Sequence, residues 1–241
     1  MKKFSILIIL LVVSIYSCVQ ETSSEKDTEL TSLLTQNSLT GNADWYQMPE
    51  SNDYANIPGQ DPKNPVTEAK VILGEMLFFE TGIGIKPNKT MSMETYSCSS
   101  CHVPEKSFTA GRFQGIADGA LGFGEHGEGR LINPWYDGTE VDAQGARPLP
   151  VINLAYVKNA LWNGSFGSFG MNTGTSAIWG KADTLTKINF ENREGLEAAI
   201  PRALIVHRQD INKALMDKLG YTNLFNKAFP DVPVRDRKSV V

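Results

Sequence analysis

Cys98-Ser99-Ser100-Cys101-His102 is the stretch of this chain whose residue types and spacing carry chemistry on their own. Two cysteines three positions apart fall on one side of a helical turn, so both sulfurs reach one edge of a planar macrocycle. A histidine directly after the second is carried beneath the centre of that macrocycle, where its imidazole can ligate iron. The spacing predicts a covalently held c-type haem, with Cys98 and Cys101 bonded to its vinyl groups and His102 as the proximal ligand. Two other chemistries use a Cys-x-x-Cys pair. A redox disulfide is one, but that motif opens a helix in a βαβ setting, which is absent here. Half of a zinc site is the other, completed by His126 and His207, and no second compact ligand pair supports it.

The elements around this motif must come from a chain of 241 residues, enough for one large domain or two small ones. Hydrophobic residues make up 41% and charged residues 21%, which excludes a polytopic membrane protein and a wholly disordered one. A net charge of −4 gives no domain-sized basic surface, so nucleic acid is not an expected partner. The cysteines are Cys18, Cys98 and Cys101, an odd set that disfavours a disulfide framework. Glycine and proline cluster in the middle of the chain and predict long loops wrapped around something.

Residues 1–18 begin Met-Lys-Lys, continue as an apolar run from Phe4 to Val13, and end Ser14-Ile15-Tyr16-Ser17-Cys18. The run is too short to span a hydrocarbon core of about 30 Å and reads as a secretory signal. A small residue before a cysteine resembles a bacterial lipobox, with Cys18 as the lipid-modified first residue of the mature protein. Tyr16 is unusual there, and a plain cleaved signal or an uncleaved anchor remain the other readings. Each places the protein outside the cytoplasm, which is where c-type haem is attached. Residues 19–65 read as a flexible tether and an irregular, proline-bearing lead-in.

A helix is predicted from Thr67 as N-cap, with Ala69, Ile72, Leu73, Met76 and Leu77 at helical spacing and Gly82 and Gly84 beyond its end. Further on, Leu196, Ala199, Ile200, Ala203, Leu204 and His207 share one helical face, with Pro201 marking a kink or a start. That directs His207 toward the core or the haem, as a core histidine bonded to backbone, an acid/base or a ligand. Asp210 is expected to cap a following helix and Thr222 the last one.

Several strings resemble the bacterial di-haem cytochrome c peroxidases and their MauG-like relatives, in the N-terminal half of that family. They are Leu73-Gly74-Glu75-Met76-Leu77-Phe78-Phe79, the stretch from Ser97 through the haem motif to Thr109, and Pro148 to Tyr156. Leu161-Trp162-Asn163-Gly164 and Gly220 to Pro230 continue the likeness, which covers residues 66–230. The resemblance implies a mainly α, cytochrome c-like haem domain with long Gly/Pro-rich loops. It implies reduction of hydrogen peroxide to water with electrons from a small donor cytochrome or cupredoxin, and a second haem domain in the full-length family. In the family a tryptophan of a Phe-Trp-Asp-Gly-Arg motif lies between the two haems; Trp162 matches it, while Asn163 and Ser165 replace the Asp and Arg. A buried aromatic in a glycine-rich loop is the other reading of Trp162.

Departures from the family pattern are as informative. No second Cys-x-x-Cys-His follows residue 102, and 231–241 reads as a tail where the second domain would begin, which suggests a truncated product or a mono-haem protein. Relatives carry a distal histidine in a Gly-His-Gly context, and Gly124-Glu125-His126-Gly127 stands in a comparable place. His126 is accordingly a candidate sixth ligand, or else a surface histidine of a loop. The Gln and Glu that relatives supply near peroxide are absent, with Ala199 at the Gln position. Asp118, Glu125 and Glu128 lack EF-hand spacing, and Arg147-Pro148 replaces the Asn that calcium would need in this family. Met171 is the remaining candidate for an axial position. The competing classes are a mono-haem electron carrier and, more distantly, a binding lipoprotein with an inert cysteine pair.

Overall fold

The computed structural model describes residues 25–38, 40–111, 114–123, 129–143, 145–157, 159, 161, 164–168, 170–182 and 199–232. Cys18, His126, Trp162 and the signal sequence lie outside the described residues. The chain divides into two compact units, Met1–Glu50 and Ser51–Val241.

In the first unit, helix α1 spans Glu25–Asn37. The sequence reads as a flexible tether here, and the structure corrects this to helix over those residues. Thr31 and Thr35 donate their hydroxyls to the carbonyls of Asp27 and Thr31, both at 2.8 Å. Such back-bonding satisfies hydroxyls without an apolar face, and Leu30 and Leu33 stay exposed. A 3₁₀ turn follows at Ala43–Tyr46, where the Asn42 side chain accepts from the Asp44 amide.

The second unit is built on α2, Glu68–Phe79, whose N-cap is Thr67 as expected. The Thr67 hydroxyl accepts the Lys70 amide at 3.3 Å. Only Leu73 and Leu77 of the apolar residues are buried, while Ile72 and Met76 face outward, so the buried stripe is narrower than the spacing suggests. That stripe packs on α6, Thr222–Ala228, and joins Ile83, Leu215, Met216, Tyr221, Phe225 and Phe229 in one core. Among the described residues three short helices complete the order: α3 Ser176–Ala182, α4 Ile200–Val206 and α5 Lys213–Lys218. Pro201 lies in the first turn of α4, marking its start, where a missing amide costs nothing.

The caps differ from expectation in two places. Asn212, not Asp210, caps α5 by accepting the Leu215 amide at 3.0 Å. Asp210 instead pairs with Lys86 at 2.9 Å. Tyr221 is the N-cap of α6, and the Thr222 hydroxyl donates to Asp217.

Between α2 and α3 the described chain is loop and 3₁₀ turn, with isolated bridges at Val103–Thr109, Ile116–Ala143 and Ala120–Ile132 and no strand. Loops without a ladder need other partners for buried polar groups. Arg130, with no exposed surface, donates Nε to the Ile116 carbonyl at 2.6 Å and Nη2 to the Ala117 carbonyl at 2.5 Å. Asp118, equally buried, accepts from the Tyr136 hydroxyl at 2.6 Å, the Asn88 amide at 2.7 Å and Arg208 at 2.5 Å. Its oxygens are thus committed to protein donors rather than offered to a cation.

Candidate haem-binding site

Ser97 begins the site in extended backbone, and Cys98–Ser100 forms a single 3₁₀ turn. The Ser97 amide donates to the Ser100 hydroxyl at 3.0 Å, closing the turn's start. Amides of Cys101 and His102 both donate to the Cys98 carbonyl, at 3.2 and 2.9 Å. These bonds wind both cysteines and the histidine through one turn, as the spacing predicts. Cys101 is buried with Tyr96 and Ala117. Gly115 backs directly onto it: a Cβ there would stand 2.6 Å from the Cys101 sulfur.

His102 Nδ1 lies 3.0 Å from the Phe108 carbonyl. That carbonyl is aimed by an unusual backbone, since Ser107 and Phe108 both adopt left-handed φ angles of 55° and 57°. Non-glycine residues pay roughly 1–2 kcal/mol each for this region. The loop is held by the Val103 amide donating to Thr109 and the Phe108 amide donating to Val103, both at 2.9 Å. Phe78, at the end of α2, meets the Phe108 ring edge-on with centroids 5.7 Å apart. The aromatic end of α2 thereby braces the residue that orients His102.

Burial is the main cause holding His102 below its ordinary pKa, and the nearby charge of His207 adds to it. Carbonyls of Phe108 and Leu149 act the other way and are outweighed. A neutral imidazole with a fixed ring is the form that ligates a metal. Burial also pushes the Cys98 thiol up to about 11. A redox dithiol needs a lowered pKa, so this environment does not suit the disulfide-exchange reading. The zinc reading needs His126, which lies outside the described residues, while His207 is turned to Asp142 at 2.8 Å. Two sulfurs, an adjacent oriented imidazole and a glycine pressed against one sulfur fit a haem fixed at one edge.

His207 caps the end of α4 and is half-buried. Its Nδ1 lies 2.8 Å from Oδ2 of Asp142, so its partner is a buried carboxylate and not the backbone. Met171 sits exposed in the turn Gly170–Asn172, with its sulfur against Gly164. Asp142, Gly115 and the Phe108 carbonyl belong to the site although no residue pattern singles them out. Asp142 stands 65 positions from His207, a separation that leaves no periodic signal.

The helical fold and the Cys-Cys-His turn define a cytochrome c-like haem domain. The chain belongs to the di-haem cytochrome c peroxidase family, whose family model, CCP_MauG, matches residues 68–240. The match therefore continues past residue 230 into the segment that reads as a tail. No curated protein and no solved structure matches the chain. Membership carries haem and oxidoreductase chemistry of the peroxidase type. Among the described residues no helix is long and apolar enough to cross a membrane.

Proposed function

We propose that this chain is an exported, periplasmic c-type haem protein, lipid-anchored through Cys18, that reduces hydrogen peroxide to water. Its electrons come from a small cytochrome or cupredoxin, and one haem is covalently held by Cys98 and Cys101. The reading rests on family membership together with one observation: His102, next to the paired sulfurs, is fixed on the Phe108 carbonyl and kept neutral by burial.

Each residue has a distinct task in this reading. Cys98 and Cys101 hold the haem edge, so that little other protein is needed to retain it. His102 ligates the iron through Nε2, while Phe108 fixes the ring through Nδ1. The haem, when bound, supplies the redox centre at which peroxide is reduced. His126, flanked by Gly124 and Gly127, serves as a detachable sixth ligand, and Trp162 as an electron relay.

Turnover of peroxide by the haem-loaded full chain, with a reduced small cytochrome as donor, tests the proposal. We expect measurable oxidation of the donor, because the two electrons each peroxide needs must come from it. Cys98→Ala/Cys101→Ala should abolish it. Reversible one-electron exchange with no reaction toward peroxide would overturn the peroxidase reading in favour of an electron carrier.

A further inference from the structure

His207 and Asp142 form a hydrogen-bonded pair brought together across 65 positions of the second unit, and the residues around both are pinned. The Ala117 amide donates to the Asp142 carbonyl and the Asp142 amide to the Asp118 carbonyl, both at 2.9 Å. On the other side, Arg208 reaches Asp118 at 2.5 Å and the Glu140 carbonyl at 2.7 Å. The Arg208 carbonyl in turn accepts from the Tyr96 hydroxyl at 3.0 Å and the Lys86 amide at 3.1 Å. Two partners held this rigidly keep their geometry without further support.

The pair also belongs to the neighbourhood of the haem motif. Ala117, which bonds to Asp142, packs with Cys101 and Tyr96 in one small cluster. The charge of His207 reaches His102, lowering its proton affinity. In the neutral ring, Nδ1 directed at the Asp142 carboxylate donates its hydrogen there and leaves the lone pair on Nε2. Nε2 has no hydrogen-bond partner among the described residues. A histidine oriented by a buried carboxylate, with its other nitrogen free, is built to take up and return a proton.

Resting on the peroxidase reading above, we propose that His207 is the proton carrier of the haem site and that Asp142 is its positioning residue. Reducing peroxide by two electrons consumes two protons and yields two waters. In that role Nε2 would take the proton from one peroxide oxygen and return it to the other, which departs as water as the O–O bond breaks. Two electrons from the external donor and two solvent protons would complete the second water, with the haem supplying the redox chemistry when bound. The pair stands in for the Gln and Glu that the sequence lacks.

Cyanide and azide binding to the ferric, haem-loaded full chain separates this from a structural role. Hydrogen cyanide must lose a proton to bind at neutral pH, whereas azide is already an anion. Second-order rates at low ligand concentration include any opening of the sixth position equally for both, so their ratio isolates the proton step. We expect the cyanide-to-azide ratio to fall about 100-fold in His207→Ala and roughly 10-fold in Asp142→Asn, with the ferric spin state unchanged. If His207→Ala does not load haem, Asp142→Asn carries the test. An unchanged ratio overturns the proposal, and so does a high-spin shift in His207→Ala, which would make His207 an iron ligand. Failure of the peroxidase reading shows separately, as loss of turnover with the ratio still dependent on His207.

Discussion

Arg208 Nη1 stands 2.5 Å from Oδ2 of Asp118, a carboxylate with no exposed surface that lies 90 positions earlier. This contact ties the segment after α4 to the loop that backs the haem motif. Removing one partner of a buried pair leaves a charge without compensation, which costs more than the pair itself contributes. Arg208→Ala is therefore expected to destabilise the domain by about 3–5 kcal/mol, read as a lower denaturant midpoint. A loss within about 0.5 kcal/mol, the range of ordinary surface substitutions, would show that the pair carries no fold.

Gly115→Ala places a methyl group against the Cys101 sulfur, within a contact that backbone and side chain already fill. Overpacking of this kind costs roughly 1–3 kcal/mol. The cost falls where the haem must be attached, so haem content per chain should drop more than secondary structure does. Absorbance of the haem band per unit protein, beside far-ultraviolet circular dichroism, measures both.

Burial lowers the pKa of His102 from its ordinary 6.5 in the folded chain. Between the folded and unfolded values the unfolded chain binds more protons, so stability rises with pH there. The contribution is fully present above 6.5 and is lost as pH falls through the lower, folded value. Urea midpoints of the haem-free chain should fall on acidification, and His102→Gln should flatten that fall. A variant with the same pH slope as the wild type would assign it to other groups.

His126→Ala tests the proposed sixth ligand. Ferric wild type is expected to be low-spin and the variant high-spin, with faster azide binding. If neither this variant nor His207→Ala changes the spin state, Met171 becomes the next candidate, and a carrier role gains over peroxide chemistry.

Helix α2 and the haem turn were legible because their signals are local: a capping threonine with apolar residues at helical spacing, and five consecutive residues of fixed chemistry. Contacts over long separations were not. Asp118 read as an acidic loop residue and proves to be the partner of Arg208, while His207 bonds to Asp142 instead of backbone. Cap choice failed for a subtler reason. Asp210 and Asn212 are both good caps two residues apart, and Lys86, remote in sequence, takes Asp210 away. The helix at Glu25–Asn37 escaped because Leu30, Leu33 and Leu34 are its only apolar residues, set in a polar stretch that reads as a tether.

The haem attachment itself is tested most directly by the intact mass of the denatured full chain, expressed in a host that attaches c-type haem. The account predicts the polypeptide plus one haem, colour that survives acid-acetone extraction, and loss of both in Cys98→Ala/Cys101→Ala. A mass equal to the polypeptide alone, or colour that leaves with the solvent, would contradict it.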